Sequence, residues 1–301
     1  MPPEDGGFFV NLVRIGEDMK TIFRKSLVLV FSLVLIGAVP LAACTTNPPA
    51  ATQPTETETA TVRIGASPVP HAEILAFIRD NLAPAAGLEL EIVEFTDYVL
   101  PNLALMDGTL EANYFQHLPY LEDFNAQKGT DLIAVADVHI EPLGIYSRTL
   151  TSLNALSDGA VVLIPNDATN GGRALNLLAA NGLITLKQDA GFKATVLDIQ
   201  ENPKNLKITE LEAAQLMRSL EDASLAVING NYALEGGLTT AKDALALESA
   251  ENNPYVNILA VKRGNENLPA IQKLIALLTS PEVKAFIEGK YAGSVLPAFG
   301  N

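Results

Sequence analysis

The chain of 301 residues is short of cysteine, of basic side chains and of long apolar runs, and each shortage excludes a class of protein. Its single cysteine, Cys44, has no partner for a disulfide within the chain, which excludes a disulfide-stapled scaffold. Only 20 lysines and arginines stand against 35 aspartates and glutamates, and the net charge of −15 repels the phosphates of nucleic acids. One long apolar run, 27–39, is too little for a polytopic membrane protein. Hydrophobic residues nevertheless make up 48% of the chain, enough to bury a core over most of it.

The N-terminal region has the pattern of an export signal. Three basic residues, Lys20, Arg24 and Lys25, precede the apolar run 27–39. That run is shorter than the ~20 residues that cross ~30 Å of hydrocarbon. A basic start, a short apolar run and small residues at a cleavage point are typical of a secretory signal peptide. The sequence therefore predicts a signal peptide over residues 1–43.

Cys44 ends the order Leu-Ala-Ala-Cys, which resembles the lipobox of bacterial lipoproteins. In that pattern the peptide is cut before the cysteine, which then carries a thioether-linked diacylglycerol and usually an N-acyl chain. Two or three acyl chains anchor a protein stably where one does not, at ~0.8 kcal/mol per buried CH₂. We expect Cys44 to be lipidated and to hold the chain on the outer side of a membrane of the bacterial cell envelope. The alternative is an ordinary residue near a signal-peptidase site.

The segments on either side of this leader have distinct compositions. Residues 1–18 place four acidic side chains ahead of the basic cluster, which does not fit a leader, so we expect translation to start at Met19. The four acidic and four basic residues of 1–43 cancel, and the net charge of −15 lies on the exported chain. Residues 45–61 are mainly Thr, Pro, Ala and Glu and cannot bury enough surface to fold. Residues 44–61 are therefore predicted to be a lipidated cysteine and a flexible tether.

Beyond the tether, short β-type runs alternate with helical patterns. The predicted strands are 61–66, 88–95, 132–138, 160–165, 195–199, 225–229 and 256–261. The predicted helices are 74–82, 98–106, 173–180, 210–220, 268–278 and 281–289. Such alternation is typical of parallel sheets covered on both faces, and this many strands fits two sheets better than one. We predict an α/β protein with two crossover segments between two lobes, 62–142 plus 253–301 and 143–252, and a ligand cleft between the lobes.

Residues 164–173 follow a predicted buried strand and open a helix. Several of them, Asn170 included, are of the types that cap helices, and the backbone N–H groups at a helix start favour an anion. Arg173 adds a planar fork suited to a carboxylate. Two interpretations stay open on these grounds, a carboxylate clamp and a capped helix with a surface arginine. Asn229 similarly ends a strand, where its amide could bind an ammonium and a carboxylate or simply form an Asn-Gly turn.

Aromatic residues are concentrated in one segment of a chain that contains only 6% of them. Phe115, His117 and Tyr120 lie within eight residues of sequence, 113–120, and Tyr98 lies a short distance before them. Aromatic walls suit a thioether or an aliphatic tail, because sulfur–aromatic contacts contribute ~0.3–1.5 kcal/mol. The alternative is ordinary core packing, which is weakened by the polar tips of His117 and Tyr120, since these need partners if buried.

The sequence contains no motif typical of metal binding or of catalysis. The three histidines, His71, His117 and His139, have no metal-ligand spacing, so no metal site is predicted. A glycine-rich phosphate loop with its lysine and a serine nucleophile elbow are both missing from the sequence. We therefore expect no cofactor and a protein that is not an enzyme.

Several long motifs, taken in order, resemble the NlpA-type lipoprotein family, the methionine-binding subunits of methionine ABC importers. The motifs are GASPVPHAEIL at 65–75, FTDYVLPNLAL at 95–105, EANYFQHLPYL at 111–121, IPNDATNGGRAL at 164–175, ENPKNLKITELEAAQL at 201–216, AVINGNYA at 226–233 and NPYVNILAV at 253–261. The resemblance covers about 62–301 and implies a two-lobed periplasmic-binding-protein fold. One departure is the pair Ala168 and Gly171, where many members have Pro and Leu.

The resemblance also implies roles for the residues singled out above. It implies that Arg173 and Asn170 hold the α-carboxylate of a ligand and that Asn229 contacts its ammonium and carboxylate end. The residues that would surround the ligand side chain are Tyr98, Phe115, His117 and Tyr120.

The function implied is that of a lipid-anchored receptor for methionine, with the L form as the main ligand and the D form as a further candidate. Its expected partners are the membrane, through the lipid on Cys44, and the permease of an ABC importer, through which it serves the ATPase. Two alternatives stay open: a receptor of the same fold for a methionine-containing dipeptide or another apolar amino acid, and a structural envelope lipoprotein with no transport role.

Overall fold

The computed structural model describes residues 59–300. The predicted signal peptide, Cys44 and most of the predicted tether lie outside this range. Within it, none of the helices combines the length and the apolar composition needed to cross a membrane.

Strands and helices alternate along the described chain. The strands are β1 Ala60–Ala66, β2 Leu88–Glu94, β3 Ala112–His117, β4 Leu132–Ile140, β5 Gly144–Tyr146, β6 Val161–Pro165, β7 Thr185–Leu186, β8 Ile199–Glu201, β9 Lys207–Leu211, β10 Leu225–Ile228, β11 Ala246–Leu247, β12 Asn257–Lys262 and β13 Leu296–Pro297. The helices are α1 Glu73–Asn81, α2 Leu100–Asp107, α3 Leu118–Lys128, α4 Ala168–Ala180, α5 Ala213–Ser219, α6 Gly230–Glu235, α7 Thr240–Asp243, α8 Pro269–Leu278 and α9 Pro281–Tyr291.

Two larger sheets organise these strands. The first has the order β13-β4-β12-β3-β1-β2, and the second has the order β11-β5-β10-β6-β9. The chain passes from the first sheet to the second between β4 and β5, a segment named here the first crossover (141–143). It returns between β11 and β12, the second crossover (248–256). A small hairpin of β7 and β8 completes the strands of the described residues.

Both sheets are mixed, which corrects the expectation of parallel sheets. Strands β1, β2 and β3 are parallel, as are β6, β9 and β10. Strand β12 runs antiparallel to β3 and β4, and β5 runs antiparallel to β10. The parallel rule applies to strands joined by a helix within one sheet. Strands β5 and β12 instead enter their sheets from the other sheet, so that rule does not set their direction.

Each sheet is covered on both faces, which explains the continuous apolar runs 258–261 in β12 and 225–228 in β10. In β12, Leu259 and Val261 pack into the core formed with α1, α8 and α9, while Ile258 and Ala260 pack into a second core with α2 and α3. In β10 the alternate residues divide in the same way between two cores. Because successive strand residues point to opposite faces, two buried faces require a continuous apolar run.

Several local predictions were wrong: the helix expected from residue 173, for example, begins five residues earlier, at Ala168. Residues 195–199 were expected to form a strand, but Thr195 and Asp198 form a reciprocal capping box around a short helical turn. The helix expected from residue 210 begins at Ala213, because 207–211 pairs with β6 as an edge strand. Strand β3 was not predicted, since all six of its residues are buried and polar residues interrupt its apolar pattern.

Candidate functional site

A small cavity lies where residues from the two sheets meet. The structure places all seven predicted ligand-binding residues on its lining: Tyr98, Phe115, His117, Tyr120, Asn170, Arg173 and Asn229. They come from the carboxyl ends of β3, β6 and β10, from the helices or loops that follow these strands and, for Tyr98, from the loop that follows β2. Such strand ends are the usual place for a ligand in an open α/β sheet.

Arg173 lies in the second turn of α4, and its side chain is 4% exposed. Its Nε donates to Glu248 Oε1 at 2.9 Å, and its Nη2 donates to Glu248 Oε2 at 2.5 Å. Nη2 also donates to the carbonyl oxygen of Glu141 at 3.0 Å. The ring of Tyr255 lies 4.3 Å from the guanidinium carbon, a cation–π distance. The surface arginine considered as an alternative is therefore excluded: Arg173 is a buried cation on the cavity lining.

Asn170 joins the start of α4 to the neighbouring sheet. Asp167 caps this helix, and its carboxylate accepts from the backbone N–H of Asn170 at 2.8 Å and from its side-chain amide at 3.0 Å. These bonds orient Asn170 Oδ1, which accepts from Asn229 Nδ2 at 2.8 Å and from His117 Nε2 at 3.3 Å. Asn170, Asn229 and His117 are thus joined by hydrogen bonds.

His117 is neutral in this arrangement. Its Nδ1 accepts from the backbone N–H of Tyr120 at 3.2 Å, which leaves the proton on Nε2. Burial, helped by the positive charge of Arg173, lowers the pKa of His117 to about 3. His117 therefore contributes a hydrogen-bond donor and an apolar ring, and no positive charge, to the cavity.

Two buried amide atoms on the cavity lining lack hydrogen-bond partners among the described residues. They are Asn229 Oδ1, an acceptor, and Asn231 Nδ2, a donor. Asn231 is fixed by the Tyr98 hydroxyl, which donates to its Oδ1 at 2.6 Å. Most buried polar atoms are paired, so this acceptor and this donor, on two residues of the same cavity lining, are available to the polar groups of a bound molecule.

Aromatic rings form another part of the wall. The centroid of Tyr98 lies 6.0 Å from that of Phe115 and 5.9 Å from that of Tyr120, within the range of favourable aromatic pairs. The Tyr120 hydroxyl donates to the carbonyl oxygen of Tyr98 at 2.9 Å, which satisfies its polar tip. Burial raises the pKa of both tyrosines, so both stay neutral. The wall offers polarisable, uncharged surface.

Glu141, in the first crossover, lines the cavity and was not singled out from the sequence. Its Oε1 accepts from His139 Nε2 at 2.7 Å and lies 3.4 Å from His71 Nε2. His139 Nδ1 accepts from the Tyr114 hydroxyl, and His71 Nε2 donates to Asn257 Oδ1 at 2.9 Å. The side-chain ligand atoms of His71, His139 and Glu141 all lie within 4.8 Å of one another. Sequence spacing did not reveal this group, because it forms only where β4 and the turn before α1 meet.

Opposing effects act on the ionisation of this group. Burial lowers the pKa of His71 to about 4 and that of His139 to about 3, so both are neutral at pH 7. Burial raises the pKa of Glu141, while its electrostatic interactions with His71 and Arg173 oppose that rise. The group is held mainly by hydrogen bonds, and the backbone carbonyl of Glu141 is thereby fixed beside Arg173.

Besides Glu141, sequence reasoning missed Asn231 on the cavity lining and the two partners of Arg173, Glu248 and Tyr255. Asn231 lies in the AVINGNYA motif two residues after Asn229, and its position near a strand end was a usable signal. Glu248 and Tyr255 lie in the second crossover, and nothing in the local sequence connects them to Arg173.

Two α/β sheets joined by two crossovers, with a cavity between the strand ends of both, define a two-lobed periplasmic-binding-protein fold. Comparison with known proteins places the chain more narrowly. Residues 62–299 match the family model described as NlpA lipoprotein, and the chain belongs to that family. The resemblance drawn from the motifs is confirmed.

The relatives are similar over most of the folded part. The chain is 49% identical to the D-methionine-binding lipoprotein MetQ of Escherichia coli (strain K12), over 65% of this chain and 73% of the relative. It is 40% identical to the methionine-binding lipoprotein MetQ of Bacillus subtilis (strain 168), over 93% of this chain and 99% of the relative. Among solved structures, a nutrient-binding protein from Burkholderia cenocepacia bound to methionine matches with a TM-score of 0.77 and 44% identity, covering 79% of this chain and 100% of the other.

Proposed function

We propose that this protein binds methionine in the cavity between its two sheets and delivers it to an ABC importer. The observation that carries the proposal is the combination, on one buried cavity, of a guanidinium group, two unpartnered amide atoms and a wall of aromatic rings. Relatives that share 40–49% of their residues with this chain carry methionine-binding names, and these support the same ligand.

Each part of methionine has a counterpart on the lining. Arg173 can donate to the α-carboxylate in a charge-assisted hydrogen bond, with the unpartnered Nδ2 of Asn231 as a second donor. Asn229 Oδ1 can accept from the ammonium group. The rings of Tyr98 and Phe115 can contact the thioether, where each sulfur–aromatic contact contributes ~0.3–1.5 kcal/mol.

The proposed location in the cell envelope depends on Cys44 and the tether that precede the folded residues. We infer that Cys44 carries the lipid and that the tether lets the folded part reach a permease in the same envelope. We propose that the two lobes are 62–142 plus 253–301 and 143–252. This division is supported by the two sheets, since β1–β4, β12 and β13 form one and β5, β6 and β9–β11 form the other. Closing of these lobes over methionine would exclude water and form the surface that the permease, and through it the ATPase, responds to.

Ligand-dependent thermal unfolding of the exported chain, with Cys44→Ser to prevent lipidation, tests this function. The protein is refolded to remove co-purified ligand and heated with L-methionine, D-methionine, methionyl dipeptides, leucine or methioninamide. A ligand at 100 times its Kd adds ~2.7 kcal/mol to the free energy of unfolding, which raises the Tm. We expect methionine to give the largest shift, and methioninamide a smaller one because it lacks the carboxylate.

The same panel separates the alternatives. A larger shift with a dipeptide or with leucine would replace methionine as the ligand while keeping the receptor role. No shift with any member of the panel would refute the receptor role altogether.

A further inference from the structure

Arg173 is paired with a carboxylate of the protein itself. Both oxygens of Glu248 accept from it, at 2.9 Å from Nε and 2.5 Å from Nη2, and the Glu248 side chain is 16% exposed. Glu248 is the first residue of the second crossover, 75 residues from Arg173 in sequence. The carboxylate of the ligand would be a second anion on the same guanidinium group, so Arg173 needs an N–H donor that Glu248 does not use.

The hydrogen bonds of the guanidinium group resolve this conflict. An arginine has five N–H donors in a rigid plane. Glu248 takes the edge formed by Nε and Nη2, and the carbonyl oxygen of Glu141 also accepts from Nη2. Tyr255 covers one face of the plane. Within residues 59–300, Nη1 is the nitrogen of the fork that has no hydrogen bond, and Arg173 lines the cavity.

Glu248 is itself held firmly. Its backbone N–H donates to the carbonyl oxygen of Leu143 at 2.9 Å, and the backbone N–H of Leu143 donates to Glu248 Oε2 at 3.3 Å. Leu143 lies in the first crossover, so these bonds connect the two crossovers next to Arg173. A carboxylate fixed in this way can set the orientation of a flexible side chain that comes from α4.

We propose that Glu248 is a positioning residue for ligand binding: it holds the Nε–Nη2 edge of Arg173 so that Nη1 is presented to the ligand's carboxylate. Glu248 does not touch the ligand. It keeps the guanidinium in one orientation before binding, which lowers the entropy cost of forming the ligand's charge-assisted bond. Its negative charge also stabilises the buried cation when the cavity is empty. The proposal rests on the proposed function, because the ligand's carboxylate is its target.

The binding test compares Glu248→Ala and Glu248→Gln with Glu251→Gln, a control at an exposed glutamate of the same crossover. Calorimetry measures the Kd of L-methionine and of L-methioninamide, which lacks the carboxylate. We expect Glu248→Ala to weaken methionine binding roughly tenfold or more, where tenfold corresponds to ~1.4 kcal/mol. Methioninamide binding should stay nearly constant, Glu248→Gln should lie between, and Glu251→Gln should match the wild type. Equal losses for both ligands would show a merely structural role and overturn the proposal, as would no loss for methionine.

A second measurement needs no ligand. The Nε–H resonance of Arg173 in an NMR spectrum, assigned by its disappearance in Arg173→Lys, should be protected from solvent exchange in the wild type and in Glu251→Gln. It should lose that protection in Glu248→Ala. If the wild type binds no methionine, the proposed function fails, and this resonance still decides whether Glu248 holds the fork. An Nε–H that exchanges rapidly in the wild type would overturn the positioning role.

Discussion

At the scale of single residues, the site depends on how a buried positive charge is kept stable. Removing an ion from water costs several kcal/mol, and this cost is offset only where hydrogen bonds and an opposite charge surround the ion. Arg173 has Glu248, the Glu141 carbonyl and the Tyr255 ring around it. Its proposed role in binding and its effect on stability are therefore coupled, and variants that remove Glu248 together with Arg173 can separate them.

Arg173→Ala should lower both stability and binding. Removing one partner of a buried ion pair costs ~3–5 kcal/mol, and the partial exposure of Glu248 favours the lower end. The double variant Arg173→Ala with Glu248→Ala should regain part of the stability, because no unpaired carboxylate remains, and should still fail to bind methionine. Urea unfolding gives the stabilities, and calorimetry gives the Kd.

The control for that pair of variants is Arg218→Ala, at an exposed arginine on α5. Arg218→Ala should change neither the free energy of unfolding nor the Kd of methionine. Normal methionine binding by Arg173→Ala would show that Arg173 is not the carboxylate-binding group.

At the scale of elements, helix α4 carries Arg173 and packs closely against the backbone of residues 192–194. The helix contains two adjacent glycines, 171 and 172. A Cβ atom at Gly172 would overlap the carbonyl oxygen of Phe192 and lie 2.9 Å from the backbone N of Ala194. Backbone atoms cannot give way as a flexible side chain can, so only glycine allows the segment 192–194 to pack against the helix that carries Arg173.

Gly172→Ala should therefore destabilise the protein, by about 1–3 kcal/mol for overpacking, in spite of the higher helix propensity of alanine. The matched control is Gly289→Ala in α9, where a Cβ would meet no atom within 4 Å. That control should stabilise the protein by up to ~1 kcal/mol, since alanine is the better helix former. Urea unfolding of both variants measures the difference. If Gly172→Ala were as stable as Gly289→Ala, the close packing of Gly172 against residues 192–194 would not affect the free energy of unfolding.

At the scale of the whole molecule, all three histidines of the chain are buried and neutral. The pKa of His71 is lowered to about 4, and those of His117 and His139 to about 3. In the unfolded chain each would titrate near ~6.5. Between pH 6.5 and about 4 the unfolded state thus binds more protons than the folded state, and the free energy of unfolding must fall as the pH is lowered through this range.

Unfolding in urea at pH 7, 6 and 5 should show this fall, at up to ~1.4 kcal/mol per pH unit for each histidine. Glu141 acts in the opposite direction, because its raised pKa makes the folded state bind a proton above the pH at which the unfolded state does. With three histidines against one carboxyl group, we expect a net loss of about 2–4 kcal/mol per pH unit below pH 6.

His139→Gln removes one of these groups and should reduce that slope by about one proton. A free energy of unfolding that stays constant from pH 7 to pH 5 would contradict the burial of neutral histidines.

The sequence by itself determined the features that depend on neighbours along the chain. These include six of the thirteen strands and six of the nine helices of residues 59–300, the capping residues near the start of α4, and the ordered motifs that identify the family. Apolar periodicity, capping residues and turn glycines act within a few residues, so they can be read locally. Asn170, Arg173 and Asn229 were singled out because they follow predicted strands, and Tyr98, Phe115, His117 and Tyr120 because aromatic residues are concentrated in that part of the chain.

Only the tertiary structure decided the contacts between distant parts of the chain. It brought Glu248 to Arg173 across 75 residues, joined His71, His139 and Glu141, and set β12 antiparallel between β3 and β4. Each of these depends on which strand ends meet after the chain has crossed twice between sheets. Burial and charge pairing between distant segments stabilise these contacts. No local pattern in either segment predicts them.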